Sequence, residues 1–488
     1  MMHMMKRQMI CAGWLFRGLV TFFAVVLPGA AIFAQTNATS IVSTNVPGWI
    51  TQPLSMVNAL DLTLRQNSGL QKARADLEAS RGLVIQTRAV ALPSVQATGN
   101  YTDTARNDIQ NFPSFGPSGT NATTNTFVQA HQNWDTQIRI TQSIYQGGRV
   151  MSAFRAARLQ KEQSLLQYQT AVADALLATR IAYYDVLVAQ QQILVNEASV
   201  NLLNEELQDQ QRRYEAGTVP RFNVLQAEVA VANARPPLIN ARNTYRIAKN
   251  NLSNLLGFNL PREVWEDIPL NLTDKLDAQP YNVELPASIA QALERRTELA
   301  ALQKTQGLQH ENVINARAGY KPVINAFAAY DWHNNQFSED VGDELNGWMV
   351  GGELTWNIFD GLATYGKVVQ AKAQFAHAKA DVEDRSRQIE LEVRTDYSGL
   401  IEAREVLESQ QKVQEQAEEA LRLAKARADA GTGTRLDVLN AETQLTQART
   451  TQVQGLHDYD VARARLERAI GQEMISGQET KSAAPPSL

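Results

Sequence analysis

Covalent chemistry needs reactive side chains at a workable spacing, and this sequence offers few. Beyond the N-terminal segment the histidines His131, His310, His333, His377 and His457 stand alone, without metal-ligand spacing. There is no glycine-rich phosphate loop, and no nucleophile elbow with its partners. Isolated histidines usually serve packing or the surface. No catalytic residue, cofactor or metal is therefore predicted, and the chain does not read as an enzyme. What remains is electrostatic. Asp437 sits in RADAGTGTRLDVLNAE, residues 427 to 442, and an earlier copy of that stretch, RYEAGTVPRFNVLQAE, occupies 213 to 228. The offset of 214 lays Gly217-Thr218-Val219 on Gly431-Thr432-Gly433, Arg221 on Arg435 and Asn223 on Asp437. Such residues can attract, repel or hold ions and partners.

Each copy lies between two helix-forming runs, so each is predicted to be the turn of a helical hairpin. Gly217 and Gly431 suit a helix C-terminus that closes with a positive φ. Thr434 and Asp437 have the spacing of a capping box, and Pro220 suits a first helical turn. A duplicated tip implies a duplicated chain.

The elements holding those tips follow from periodicity. Arg149 to Ala216 contains neither Gly nor Pro, and a continuous helix of that length reaches roughly 100 Å. Its counterpart, Leu362 to Ala430, carries Gly366 and Gly399 and shows seven-residue apolar steps at Val393, Leu400, Leu407 and at Val406, Val413, Ala420. That spacing predicts coiled-coil packing. The return helices are predicted over Arg221 to Leu256, broken at Pro236-Pro237, and over Arg435 to Ile470. Residues 54 to 92 read as helix with a break near Asn67 to Gly69, matched by 286 to 321 at an offset of 229.

Four strands are predicted, near 94–104, 134–145, 322–332 and 348–359. Trp134, Thr136, Ile138, Ile140, Gln142, Ile144 alternate with a polar set, and Trp348, Val350, Gly352, Leu354, Trp356, Ile358 keep the same phase. One apolar face, one polar face and aromatics near one end fit a transmembrane β-barrel. Four strands cannot close one, and an open edge cannot be left in lipid, so several chains must pool their strands.

Composition sets the remaining limits. The net charge of −5 gives no reason to expect a nucleic-acid partner, and the interspersed charges read as solvated helix faces. No segment after the leader has the roughly 20 apolar residues of a membrane helix. Lys6, Arg7 and Arg17, the apolar run Leu19 to Leu27 and small residues to Ala34 read as a signal peptide, residues 1–34, which would also remove Cys11. The first repeat then spans 35–257, a linker 258–285, the second repeat 286–471, and a tail read as disordered 472–488.

In these features the chain resembles the TolC family of outer-membrane efflux proteins. The resemblance rests on the duplication, the strand-to-helix junctions IYQGGR and IFDGLA and both tip motifs, and covers essentially the whole mature chain. It implies an α+β membrane protein: a homotrimer with a shared 12-stranded transmembrane β-barrel, four strands per chain, and a long periplasmic α-helical coiled-coil barrel. The linker would lie at its equator. It implies a passive exit duct in the outer membrane, docked to a periplasmic adaptor and an energised inner-membrane pump of RND or ABC type. A periplasmic coiled-coil spacer without transport is the alternative, which has no use for four amphipathic strands.

The resemblance also assigns residues. Asp437 matches an entrance-ring aspartate, and Asn440 stands where a second one would be. Asp437 reads equally as a simple cap. The family's polar latch does not carry over, because Gly433, Ala428 and Asn223 occupy its arginine, tyrosine and aspartate positions. Arg221, Arg435 and Tyr214 are left as candidates for another latch, or as solvated side chains. Gly217, Thr218, Val219, Gly431, Thr432 and Gly433 match the adaptor-contact turns. Tyr101, Trp134, Tyr330, Trp332 and Trp348 are the expected aromatic girdle.

Overall fold

The computed structural model describes residues 53–105, 108, 111–112, 127–128, 130–258, 268–335 and 340–472. The expected signal peptide and the tail from 473 onward lie outside them.

The chain opens with α1 (Met56–Gln66) and α2 (Ser68–Ala89), parted at Asn67. The Asn67 side-chain oxygen accepts from the Gly69 and Leu70 amides, so one residue ends a helix and caps the next. Strand β1 (Ser94–Asp103) runs through a two-residue ribbon, β2 (Asn111–Phe112) and β3 (Phe127–Val128), to β4 (Gln132–Gln146). Helices α3 (Arg149–Glu215) and α4 (Arg221–Leu255) make the first hairpin. The order then repeats as α5 (Leu285–Arg295), α6 (Thr297–Arg317), β5 (Val323–Asn334), β6 (Glu344–Thr355), α7 (Ala363–Asp429) and α8 (Arg435–Ile470). Both α3 and α7 have 67 residues, which at 1.5 Å each gives about 100 Å of helix.

Helix α3 packs on α2 and α6 along its strand-proximal part and on α4 and α8 along its tip-proximal part, while α7 packs on α6 and then α8. Two long helices thus carry two sets of neighbours, in the order α2-α3-α6-α7 near the sheet and α4-α3-α8-α7 near the tips. Between the levels, one core gathers Tyr183, Val186, Leu252 and Leu256 with Ile268, Leu270 and Leu272 of the linker. Another gathers Ile389, Val393, Leu400, Leu466 and Ile470. Each such side chain contributes about 1.5–3 kcal/mol by leaving water. Tyr183 donates to the Leu54 carbonyl at 2.8 Å, and Leu54 bridges Leu272, so the linker is laced to the chain's start.

The four long strands form one antiparallel sheet in the order β1-β4-β5-β6. Its register joins the predicted apolar positions into rows, Val95–Ile140–Ala328–Val350 and Ala97–Ile138–Tyr330–Trp348. One face is therefore apolar across all four strands.

Several expectations fail, each for a local reason. Helix α4 runs unbroken through Pro236 and Pro237. Both rings lie on its exposed face, where the carbonyls of Ala232 and Asn233 that lose their donors can turn to water. Strand β6 starts at Glu344 and stops at Thr355, four residues early at each end. Past Thr355 the Trp356 indole donates to the Tyr320 carbonyl and Asp360 accepts from the Thr364 amide at 2.8 Å, turning the chain into α7. Ile144 leaves the apolar rows because a bulge between Ser143 and Tyr145 puts Tyr145 opposite Ile324. In α7, Val393 and Leu400 are buried as predicted, but Val406 and Val413 are exposed. At the junctions, Gly147 and Gly148 both have positive φ, and the second repeat holds Leu362 at φ 69° where Gly148's counterpart falls.

Candidate functional site at the hairpin tips

The two tips share a backbone and differ in their caps. In the first, Gly217 at φ 73° lets the chain reverse, and the Thr218 amide and hydroxyl both donate to the Arg213 carbonyl, at 2.9 and 2.8 Å. In the second, Gly431 at φ 71° does the same, and the amides of Thr432 and Gly433 both donate to Arg427, at 2.9 and 3.0 Å. Helix α4 then starts at Pro220 with no side-chain cap, whereas α8 starts with a complete capping box. The Asp437 amide donates to the Thr434 hydroxyl oxygen at 3.2 Å, and the Thr434 amide donates to Asp437 Oδ2 at 2.9 Å. The Thr434 hydroxyl also bonds the same carboxylate oxygen, at 2.6 Å. Those bonds hold the Asp437 carboxyl below the usual carboxylate range, so it caps while remaining an exposed anion. Asn440 lies one turn on along the same face, also exposed.

The repeat-related arginines separate. Arg221 is exposed, but Arg435 reaches from the start of α8 into contact with the Glu206 carboxylate on α3, which also accepts from the Gln210 amide at 2.9 Å. Arg435 thereby ties the second hairpin to the first within one chain. The Asn223 backbone N–H donates to the Pro220 carbonyl at 3.0 Å, and Tyr214 is exposed. Beneath the clasp, Val438, Ala441 and Leu445 pack on Ala417 and Leu421. Glu442 is 5% exposed, and neither of its carboxylate oxygens accepts a hydrogen bond. Burial pushes its pKa up, partly countered by Lys425 Nζ at 3.7 Å. Gln210 Oε1 and Arg435 Nε are also buried without a partner.

A second cluster, near the equator, was read from sequence only as solvated charge. Arg296, with its side chain 2% exposed, makes two hydrogen bonds to Glu298 and two to Glu392, and a further one to the Ala469 carbonyl. Arg468 bonds Asp174 and Glu298, and Glu467 receives Arg180 at 2.6 Å and Arg463 at 2.8 Å. Burial alone would raise the Glu298 carboxyl, yet the Arg296 and Arg468 guanidinium groups outweigh it and hold it at about 2. The belt joins α3, α6, α7 and α8. Its signal in the sequence was the Arg296-Thr297-Glu298 run at the break between α5 and α6. Between belt and tip, His457 offers Nε2 to Asp185 of α3 at 2.8 Å and Nδ1 to Asp458 at 2.9 Å. Burial alone would lower its pKa, and the two carboxylates raise it.

The sheet brings the expected aromatics together on its apolar face, with Tyr101 opposite Trp134 and Tyr330 opposite Trp348. The Tyr330 and Trp332 rings lie 4.5 Å apart, and Tyr330 donates to Asn346 Oδ1 at 3.0 Å. At the opposite strand ends Tyr145, Tyr320, Trp356 and Phe359 are exposed, a second aromatic band not singled out from the sequence. Eight residues separate Trp348 from Trp356, about 27 Å along an extended strand, comparable to the apolar band of a membrane barrel. Among the described residues no helix is long and apolar enough to cross a membrane.

The model of the outer membrane efflux protein family matches residues 59–258 and 288–472, one segment per repeat. The outer membrane protein TolC of Escherichia coli is 23% identical over 418 residues, covering 83% of this chain and 80% of that protein. The alkaline protease secretion protein AprF of Pseudomonas aeruginosa is 24% identical over 420 residues, covering 85% and 83%. Among solved structures, the CmeC outer membrane channel of Campylobacter jejuni superposes with a TM-score of 0.70 at 16% identity, covering 85% of each chain.

Proposed function

Since the chain belongs to the outer membrane efflux protein family, we propose that three copies assemble in the outer membrane as the passive exit duct of an efflux or type I secretion system. The observation that carries this reading is that a single chain is an open arc at every level. The sheet order leaves β1 and β6 with unpaired edges. The tip-proximal helices end in α4 and α7, and each edge helix exposes an apolar stripe: Phe222, Leu225, Val229, Ile239 and Ile247 on α4, Val406 and Val413 on α7. Pairing β6 of one chain with β1 of the next, and α7 with α4, satisfies strand edges and helix stripes with one rotation. Three copies give the 12-stranded barrel of the family, with its apolar face in lipid and the helices continuing as a periplasmic tube.

The duct performs no turnover in this reading. Energy comes from an inner-membrane pump reached through a periplasmic adaptor. The near-identical turns Gly217-Thr218-Val219 and Gly431-Thr432-Gly433 give six similar docking points around a trimer, and their small residues permit close backbone approach. Asp437, Asn440 and Asn223, with Arg221 and Arg435, surround the entrance. Three Asp437 carboxylates concentrate negative potential there. Relatives named for drug efflux and for protease secretion both resemble this chain, which supports an export duct of either kind. The two aromatic bands anchor the barrel at its two interfaces.

The test is reconstitution. Purified trimer in a planar bilayer should conduct and should be blocked from the tip side by a polyvalent cation. Asp437→Asn should weaken that block about tenfold, as expected when a ring of three charges is removed. Conducting trimers with unchanged block would leave Asp437 only its cap. Photo-crosslinkers at Thr218 and Thr432 should capture an adaptor from the native envelope.

A further inference from the structure

The sheet face opposite the aromatic rows is polar and carries one unexpected arrangement. Arg139 is the only Lys or Arg in the four strands. Its guanidinium carbon lies 4.4 Å from the centroid of the Phe327 ring on the neighbouring strand β5. The two residues are diagonal neighbours, since Arg139 pairs with Ala329 and Phe327 with Thr141. The ring in turn overlies Gly351 of β6, where a Cβ would stand 2.7 Å from Phe327 Cζ. Three strands thus build a seat: a glycine clears the floor, the phenyl lies on it, and the cation rests on the phenyl. The quadrupole attraction is worth about 0.5–1 kcal/mol at an exposed site, enough to favour one height and one orientation of a long side chain.

The other charges on this face are acidic. Asp135 and Asp331 lie toward the loop end of the strands, where Asp135 accepts from Asn100 at 3.3 Å and Asp331 meets His333 Nδ1 at 3.2 Å. Glu353 lies toward the helices, paired in register with Asn325. Along the strand direction the order is therefore acid, then Arg139, then acid. A lone guanidinium between two acidic zones, held by a glycine-floored phenyl, is more than a random surface charge.

Resting on the 12-stranded duct reading above, the geometry points to Arg139 as the anion-contacting, selectivity-determining residue of the barrel. Three copies form a cationic belt facing the lumen just inside the aromatic rows. The belt is met by passing solutes bearing carboxylate, sulfonate or phosphate groups, and Phe327 is the positioning residue that fixes its height. The planar guanidinium suits such anions, which it can bind with two parallel N–H donors.

The experiment is the cation-to-anion permeability ratio of the reconstituted trimer, read from the reversal potential in a salt gradient. Strand spacing and tilt put the belt on the order of 10 Å from the axis, so in about 10 mM salt, with its roughly 30 Å screening length, Arg139→Gln should raise the ratio about fivefold. At about 1 M salt, where screening shortens to roughly 3 Å, the difference should vanish. Phe327→Leu keeps the charge and removes its seat, and should move the ratio the same way by less. Should Arg139→Gln fail to assemble, Arg139→Cys modified in the open channel by a cationic thiosulfonate should lower the ratio toward the wild-type value. Channels of normal conductance whose ratio ignores Arg139→Gln in low salt, or ignores that modification, would overturn the belt. Failure of the wild-type trimer to conduct would overturn the duct reading, and the belt with it.

Discussion

The equatorial belt and the hairpin tips are both built from arginines and carboxylates between the same long helices, yet they are finished differently. In the equatorial belt Arg180, Arg296, Arg463 and Arg468 each meet a carboxylate within hydrogen-bonding distance, and Arg296 alone makes five bonds to three residues. At the tip Glu442 is buried with no bond to either oxygen, and Gln210 and Arg435 each leave a buried polar atom unmatched. A buried charge must be paired and hydrogen-bonded to be tolerated. The guanidinium groups of the belt meet that condition, and Glu442 at the tip does not.

The largest expected effect tests the equator. Arg296→Met leaves Glu392 without its bonded cation and removes two of the three guanidinium bonds to Glu298, and should destabilise the assembled protein by about 3–5 kcal/mol. Arg435→Met at the tip removes one mostly buried clasp, but Glu206 keeps its bond from Gln210, so the loss should be smaller, about 1–2 kcal/mol. Denaturant unfolding of the two variants, followed by helix signal, measures the contrast. Equal losses would erase the distinction.

Acid should act on two sets of buried carboxylates in opposite directions. Asp460, 4% exposed, is pushed to about 6 by burial, and the Glu442 carboxyl is also raised. A folded pKa above the unfolded one favours the fold in acid. Their contribution is complete below the usual carboxylate value and is lost as pH rises, through about 6 for Asp460. His457, also raised, contributes below its ordinary value of about 6.5 and loses that contribution as pH climbs past its folded value. Glu298, held at about 2, contributes fully above the ordinary glutamate value and fails only as pH falls toward 2. The unfolding temperature should therefore rise by a few degrees from pH 8 to pH 5 and collapse below about 3. Asp460→Asn should flatten the first limb and leave the second. A rise untouched by that change would place the acid response elsewhere.

Much of the scaffold was legible because its causes are local. The αL glycines at 217 and 431, the Thr434-Asp437 capping box and the alternation of Ile138, Ile140 with Val350, Leu354 each determine backbone or face within a few residues. What escaped was what depends on distant partners. Nothing around Pro236 says that its ring faces outward on a supported helix. Arg221 and Arg435 hold the same position in the two repeats, yet Glu206, on a helix more than 200 residues before Arg435, makes that arginine a clasp while Arg221 stays exposed. The belt was read as solvated charge because burial of Arg296 and Arg468 is decided by four helices at once. The pairing of Arg139 with Phe327 likewise needs the strand register.

A smaller effect separates the two tips themselves. Thr434→Ala removes both hydroxyl contacts to Asp437 and should cost about 1 kcal/mol, with faster amide exchange over the first turn of α8. The first tip has no side-chain cap to lose, so exchange at the start of α4 should stay as it is. Equal loosening of both tips would mean that the hairpins open as one unit.

The smallest effect carries the sharpest sign. Glu442→Gln keeps the shape of the side chain and removes a charge whose oxygens accept no hydrogen bond and whose nearest cation stands 3.7 Å away. Removing a buried charge that Lys425 compensates only in part spares its desolvation cost, so this variant should be neutral or more stable by up to about 1 kcal/mol. The same change at the equator, Glu298→Gln, strips charge-assisted bonds from Arg296 and Arg468 and should be destabilising, since hydrogen bonds to charged groups contribute about 1.5–3 kcal/mol. Two glutamates on the same helical scaffold would then answer one chemical change with opposite signs. If Glu442→Gln instead destabilises, the tip carboxylate is paired in the assembled trimer by a neighbouring chain, and the tip is as firmly finished as the belt.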